Sequence, residues 1–148
     1  MTNFIKQLIL LIFLTRPVVL IPVWGFSLFG FRLASNHSEI GQWLHRGSFL
    51  MMLIFSLSVA AVYLLNQLED FDVDADNGGF PLLVKSGISK QTVMIFTITL
   101  ALLSIILPII LKHYTIATLS TLSVLIGVLY SMKPTYFSGR PFFDFISN

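Results

Sequence analysis

The sequence has no cysteine, which excludes a disulfide framework and any thiolate metal centre. Charge is nearly as scarce. Only 11% of the 148 residues are charged, where a globular chain carries about a quarter. Hydrophobic residues make up 55%, and the mean hydropathy is +0.86. So few charges cannot cover the surface of a water-soluble chain, so lipid must do much of the solvating. The net charge of +2 is too small and too scattered to suggest a nucleic-acid partner. Near the N-terminus Lys6 precedes an apolar run over 8–14, which imitates a signal peptide. Arg16 and Pro17 come next, where small cleavage-site residues should stand, so the segment is expected to remain in the protein.

Long uncharged runs are what the sequence has in quantity. Crossing about 30 Å of hydrocarbon takes about 20 apolar residues. The runs 47–65, 91–111 and 114–132 meet that length without a charge. A first span is shorter over 18–31 and is expected to begin before Arg16-Pro17, with Arg16 snorkelling to one membrane face. The expectation is an all-α, polytopic transmembrane bundle: a single membrane domain over 1–148 with about four spans, near 12–32, 47–66, 91–111 and 114–132. Pro108 is expected to bend the third span, and Gly127 to let another backbone approach closely in the fourth. With the N-terminus inside, the inner loops and termini hold Lys6, Arg16, Lys85, Lys90, Lys133 and Arg140. The outer side holds Arg32, Arg46 and Lys112. The positive-inside rule then places both termini and the 67–90 loop in the cytoplasm.

Five of the seven carboxylates fall in one stretch directly after the second span: Glu69, Asp70, Asp72, Asp74 and Asp76. If the helix continues past Leu65, then Asn66, Asp70 and Asp74 recur every fourth residue and share one face. Two carboxylates about 6 Å apart repel by roughly 3 kcal/mol at an effective dielectric near 20. Bound cations relieve that repulsion, and hard oxygens at this spacing suit Mg²⁺, which shares its shell with water and phosphate. Two readings stand side by side here: a solvated acidic loop, or a site for a metal–diphosphate at the membrane face. A calcium loop fails on register, because Asn77 takes the place of its glycine and Leu83 that of its bidentate glutamate. His37 and His45 lie in the outer loop and His113 at the same face, away from the acids, and read as solvated. Trp24, Trp43 and most phenylalanines read as interfacial or lipid-facing packing.

At these residues the chain resembles the UbiA superfamily of intramembrane aromatic prenyltransferases. The stretch Asn66-Gln67-Leu-Glu-Asp70-Phe-Asp-Val-Asp74 is similar to the superfamily's first aspartate-rich signature. Phe80-Pro81-Leu82 and Ser86-Gly87-Ile88-Ser89 resemble the sequence leading into its third helix. Arg16-Pro17 matches the start of its first helix. Leu129-Tyr130-Ser131, Lys133-Pro134 and Arg140-Pro141 match the stretch after its fourth helix. The pieces stand in the right order along essentially the whole chain.

The resemblance implies a Mg²⁺-dependent membrane enzyme that transfers a polyprenyl group from its diphosphate to an aromatic or other hydrophobic acceptor. By the same resemblance Asn66, Asp70 and Asp74 would hold Mg²⁺, and Arg16, Lys85, Tyr130 and Arg140 would contact diphosphate or acceptor. Gln67 and Phe80 depart from the pattern: the superfamily has aspartate at the first position and arginine at the second. Its bundle continues into further helices and a second aspartate-rich motif, so this chain reads as the front half, expected to need a second half-chain or a second copy of itself. The alternative is a non-catalytic membrane protein or subunit derived from such an enzyme.

Overall fold

The computed structural model describes residues 3–35, 46–72 and 82–131. Six α-helices run through them: α1 (Asn3–Leu14), α2 (Leu20–Ser35), α3 (Arg46–Glu69), α4 (Leu82–Ser86), α5 (Lys90–Ile110) and α6 (Tyr114–Ser131). The described residues contain no strand. Pro17–Ala34, Gly47–Glu69, Lys90–Ile110 and Tyr114–Ser131 are long and apolar enough to cross a bilayer. The protein is thus an all-α, multi-pass membrane bundle.

The expected first span, continuous through Arg16-Pro17, is instead two helices. Proline has no N–H to continue a helix and pushes the residue before it out of the right-handed region. Arg16 takes the left-handed conformation, with φ 51° and ψ 66°, and Pro17 opens a 3₁₀ turn over Pro17–Val19 that leads into α2. Thr15 closes α1 by donating its hydroxyl to the Ile12 carbonyl at 2.7 Å.

Helix α3 is the hub, packed against α2, α5 and α6. Its apolar face supplies Ala60, Ala61, Leu64 and Leu68 to the core, which Val93 and Leu100 of α5 complete from the other side. Leu11 and Leu14 of α1, Leu83 of α4 and Ile88 extend this core at one end of the bundle. Small residues let the helices close up: Ser48, Ser58, Ser104 and Ser120 are fully buried. Ser58 and Ser104 satisfy their hydroxyls on their own helices, at Ile54 and Ala101. Trp24 of α2 donates its indole N–H to Ser56 of α3 at 2.7 Å. The outward surface is apolar, with Phe26, Phe29, Ile95 and Ile110 each more than half exposed, as a lipid-facing surface requires.

Local chemistry sets the turns at the two ends. Ser86 receives the Ile88 N–H at 3.1 Å and donates to the Leu83 carbonyl, Gly87 adopts φ 67°, and Ser89 caps α5 by accepting from the Thr92 N–H at 3.1 Å. The Ser-Gly-Ile-Ser stretch is therefore a stop for α4 and a start for α5. At the opposite end, Pro108 sits in the last turn of α5. The His113 N–H bonds to its carbonyl at 2.8 Å, while Lys112 takes φ 59° and turns the chain into α6.

Candidate functional site

The last turn of α3 carries the acidic motif, and its neighbours decide which side chain faces where. Asp70 continues the helical pattern, its N–H bonding the Asn66 carbonyl at 3.0 Å. Their side chains consequently meet one turn apart, with Asn66 Nδ2 donating to Asp70 Oδ2 at 2.9 Å. That bond leaves Asn66 Oδ1 turned toward α6, where the buried Ser131 hydroxyl lies 3.4 Å away. Asp74 lies outside the described residues, as does Arg140.

Asn66 also stands at the polar end of a groove of about 730 Å³ between α3 and α6. Val59, Val62 and Tyr63 form one wall, and Leu122, Ile126 and Tyr130 much of the other. The pairs Asn66–Ser131 and Val62–Gly127 keep the same order along both helices, so α3 and α6 run parallel. Gly127 makes that approach possible. A Cβ there would collide with both methyl groups of Val62, so what approaches this glycine is a valine side chain and not the backbone that the sequence leads one to expect. The groove lies in the size range of small-molecule sites, about 300–1,000 Å³.

The remaining acids and cations divide among other duties. Asp72 is paired with Lys90 at 2.7 Å, and the same ammonium sits 4.1 Å from the centre of the Phe71 ring. Among the residues predicted to bind substrate, Tyr130 lines the groove with Asn66. Lys85 does not: it lines a separate cavity of about 160 Å³ with Leu10, Phe13 and Leu14 of α1. Arg16 is exposed at the bend between α1 and α2 and lines neither space.

Gln67, where the resemblance leads one to expect aspartate, faces away from the groove. It is buried, and its Nε2 donates to the Leu14 carbonyl of α1 at 2.9 Å and to the Tyr63 carbonyl at 3.3 Å. An aspartate could make neither bond, because a carboxylate only accepts. Sequence reasoning also passed over Tyr63 and Ser131. Tyr63 precedes Asn66 by three residues and so shares its face, a spacing that could have revealed it.

The donor chemistry suits Mg²⁺. The Asp70 carboxylate is a hard ligand, and this ion needs only one or two carboxylates when phosphate and water complete its shell. The Asn66 oxygen faces Ser131, so the amide's part here is to hold that carboxylate. Among the described residues no three His, Cys, Asp or Glu side chains gather closely enough to hold a metal without such help.

The described helices form a membrane bundle with an apolar groove that ends at Asn66, whose amide donates to the Asp70 carboxylate. The sequence supplies the family: the model of the UbiA prenyltransferase family matches residues 9–144, and the chain belongs to that family. Membership supports a membrane prenyltransferase type of function. No curated protein and no solved structure matches the chain.

Proposed function

We propose that the chain binds a polyprenyl diphosphate, its tail in the α3–α6 groove and its head at Asn66 and Asp70, for transfer of the prenyl group to a hydrophobic acceptor. The reaction breaks the allylic C–O bond, the electron pair leaves on the diphosphate, and the acceptor forms the new bond and gives up a proton. The observation that carries this reading is the placement of the Asn66–Asp70 pair at the end of an apolar groove. Bound Mg²⁺ would supply charge neutralisation for the departing diphosphate. Asn66 orients the Asp70 carboxylate through its amide, and Tyr130 offers a hydroxyl beside them. Val59, Val62, Leu122 and Ile126 keep water from the reacting carbon. In this reading Asp74 completes the acidic face, and Arg140 is the further cation for the diphosphate. A second acidic motif faces the head group from another segment or a second copy of the chain.

The test is binding of farnesyl and geranylgeranyl diphosphate to purified protein in lipid nanodiscs, with Mg²⁺ or with EDTA. A charge-assisted contact is worth about 1.5–3 kcal/mol, which corresponds to about 10- to 100-fold in affinity. Asp70→Asn should lose that much in Mg²⁺ and little in EDTA. Equal affinity for the variant and the parent in Mg²⁺ removes Asp70 from the site.

A further inference from the structure

The short helix α1 takes no part in the groove. Its 12 residues extend about 18 Å, too little to cross a bilayer. One side meets the protein: Leu11 and Leu14 are buried in the core, and Leu10, Phe13 and Leu14 border the cavity shared with Lys85 and Ser86 of α4. The other side carries Ile5, Leu8, Ile9 and Ile12, all exposed, and Phe13, at the edge between the two sides, is 63% so. In water that row of five large apolar side chains would be left uncovered.

Position and charge say what covers it. The Gln67–Leu14 hydrogen bond fixes the C-terminal end of α1 beside the last turn of α3, level with the end of a membrane-length helix. The chain then passes through the left-handed Arg16 directly into the span Pro17–Ala34. Lys6, Arg16 and Lys85 are all exposed on and around α1. An apolar side with cations around it is complementary to anionic phospholipid.

We infer that α1 is an in-plane interfacial helix, its Ile5–Ile12 side sunk among lipid acyl chains and its cations on anionic headgroups. It holds the acidic end of α3 at the membrane surface through Gln67. This inference does not depend on what the groove binds.

The absence of cysteine makes the test direct. Single cysteines at Ile5, Leu8 and Ile12 of the full chain in vesicles would carry a fluorophore, quenched by lipids brominated at graded acyl depths. Positions 5 and 12 lie about 10 Å apart along the axis. The in-plane helix gives them the same shallow depth, and a control label at Gln7 is quenched less. Depths differing by about 10 Å, or labels that no brominated lipid quenches, overturn the inference. Replacing part of the phosphatidylcholine with phosphatidylglycerol should strengthen quenching at Ile5. The triple variant Lys6→Gln, Arg16→Gln, Lys85→Gln should abolish that increase. An increase that survives in the triple variant removes the cations from the account, as does no response to the anionic lipid in the parent.

Discussion

The Gln67 side-chain amide donates to the main-chain carbonyl of Leu14, 53 positions earlier, at 2.9 Å. The bond satisfies a carbonyl that the left-handed break at Arg16 would otherwise leave without a helical partner. It joins the end of α1 to the turn of α3 that carries Asn66 and Asp70. The residue thus serves the architecture of the site where a resemblance to the family suggests an acid serving its chemistry.

Substitutions at Gln67 should therefore rank by donor capacity. Gln67→Glu replaces a buried donor with a buried carboxylate facing a carbonyl, and should cost about 3 kcal/mol or more. Gln67→Leu loses about 1 kcal/mol of hydrogen bonding. It also removes the buried Oε1, which has no partner among the described residues, so its net cost should be smaller. Thermal unfolding in one detergent would measure both, and a Glu variant as stable as the Leu variant would contradict the assignment.

At Gly127 the expected outcome is overpacking. A methyl group there meets Val62, so Gly127→Ala should destabilise the bundle by about 1–3 kcal/mol. Val62→Ala in the same chain should recover much of that loss. Failure of the double variant to recover would mean that the two helices do not meet at this pair.

Asp72 and Asp70, two residues apart, should behave oppositely. The Lys90–Asp72 pair is exposed, with side chains 47% and 85% accessible, and such pairs contribute under about 1 kcal/mol. Asp72→Asn should leave prenyl diphosphate affinity within about twofold of the parent, while Asp70→Asn lowers it about 10- to 100-fold. A larger loss at Asp72 would move the head-group site toward Lys90.

Sidedness rests on the distribution of cations. The end of the bundle bearing Asn66 also bears Lys85 and Lys90, and the turn between α5 and α6 bears Lys112 at the other end. By the positive-inside rule the first end is expected in the cytoplasm. An impermeant maleimide applied to intact cells should label Lys112→Cys and spare Lys85→Cys. The reverse pattern inverts the orientation.

The helical bundle was legible in the sequence because four apolar stretches with few charges leave the chain little choice in lipid. The Asn66–Asp70 pairing was legible too, since side chains four residues apart on a helix must meet. Other features depended on residues far apart in the chain. Arg16-Pro17 is compatible with an N-terminal helical turn as well as with a break. What settles it is the left-handed Arg16 together with a partner supplied by Gln67. Gln67 itself read as a lost charge, because nothing local announces that Leu14 lies against it. The groove needs α3 and α6 side by side and parallel, and no periodicity within either helix encodes that. The cations Arg16 and Lys85 read as substrate contacts from their motifs alone, and the structure places both away from the groove.

The central claim is that one amphiphile occupies the α3–α6 groove with its head at Asn66. A photoreactive farnesyl diphosphate, with a diazirine on its terminal isoprene, tests this most directly. Cross-linked protein in nanodiscs with Mg²⁺ would be digested and the modified residues mapped by mass spectrometry. Labelling should concentrate on Val59, Val62, Leu122 and Ile126, and unlabelled farnesyl diphosphate or Asp70→Asn should suppress it. Labelling confined to the outward residues Ile95, Ile98 and Ile106 of α5, and indifferent to Asp70→Asn, would contradict the account.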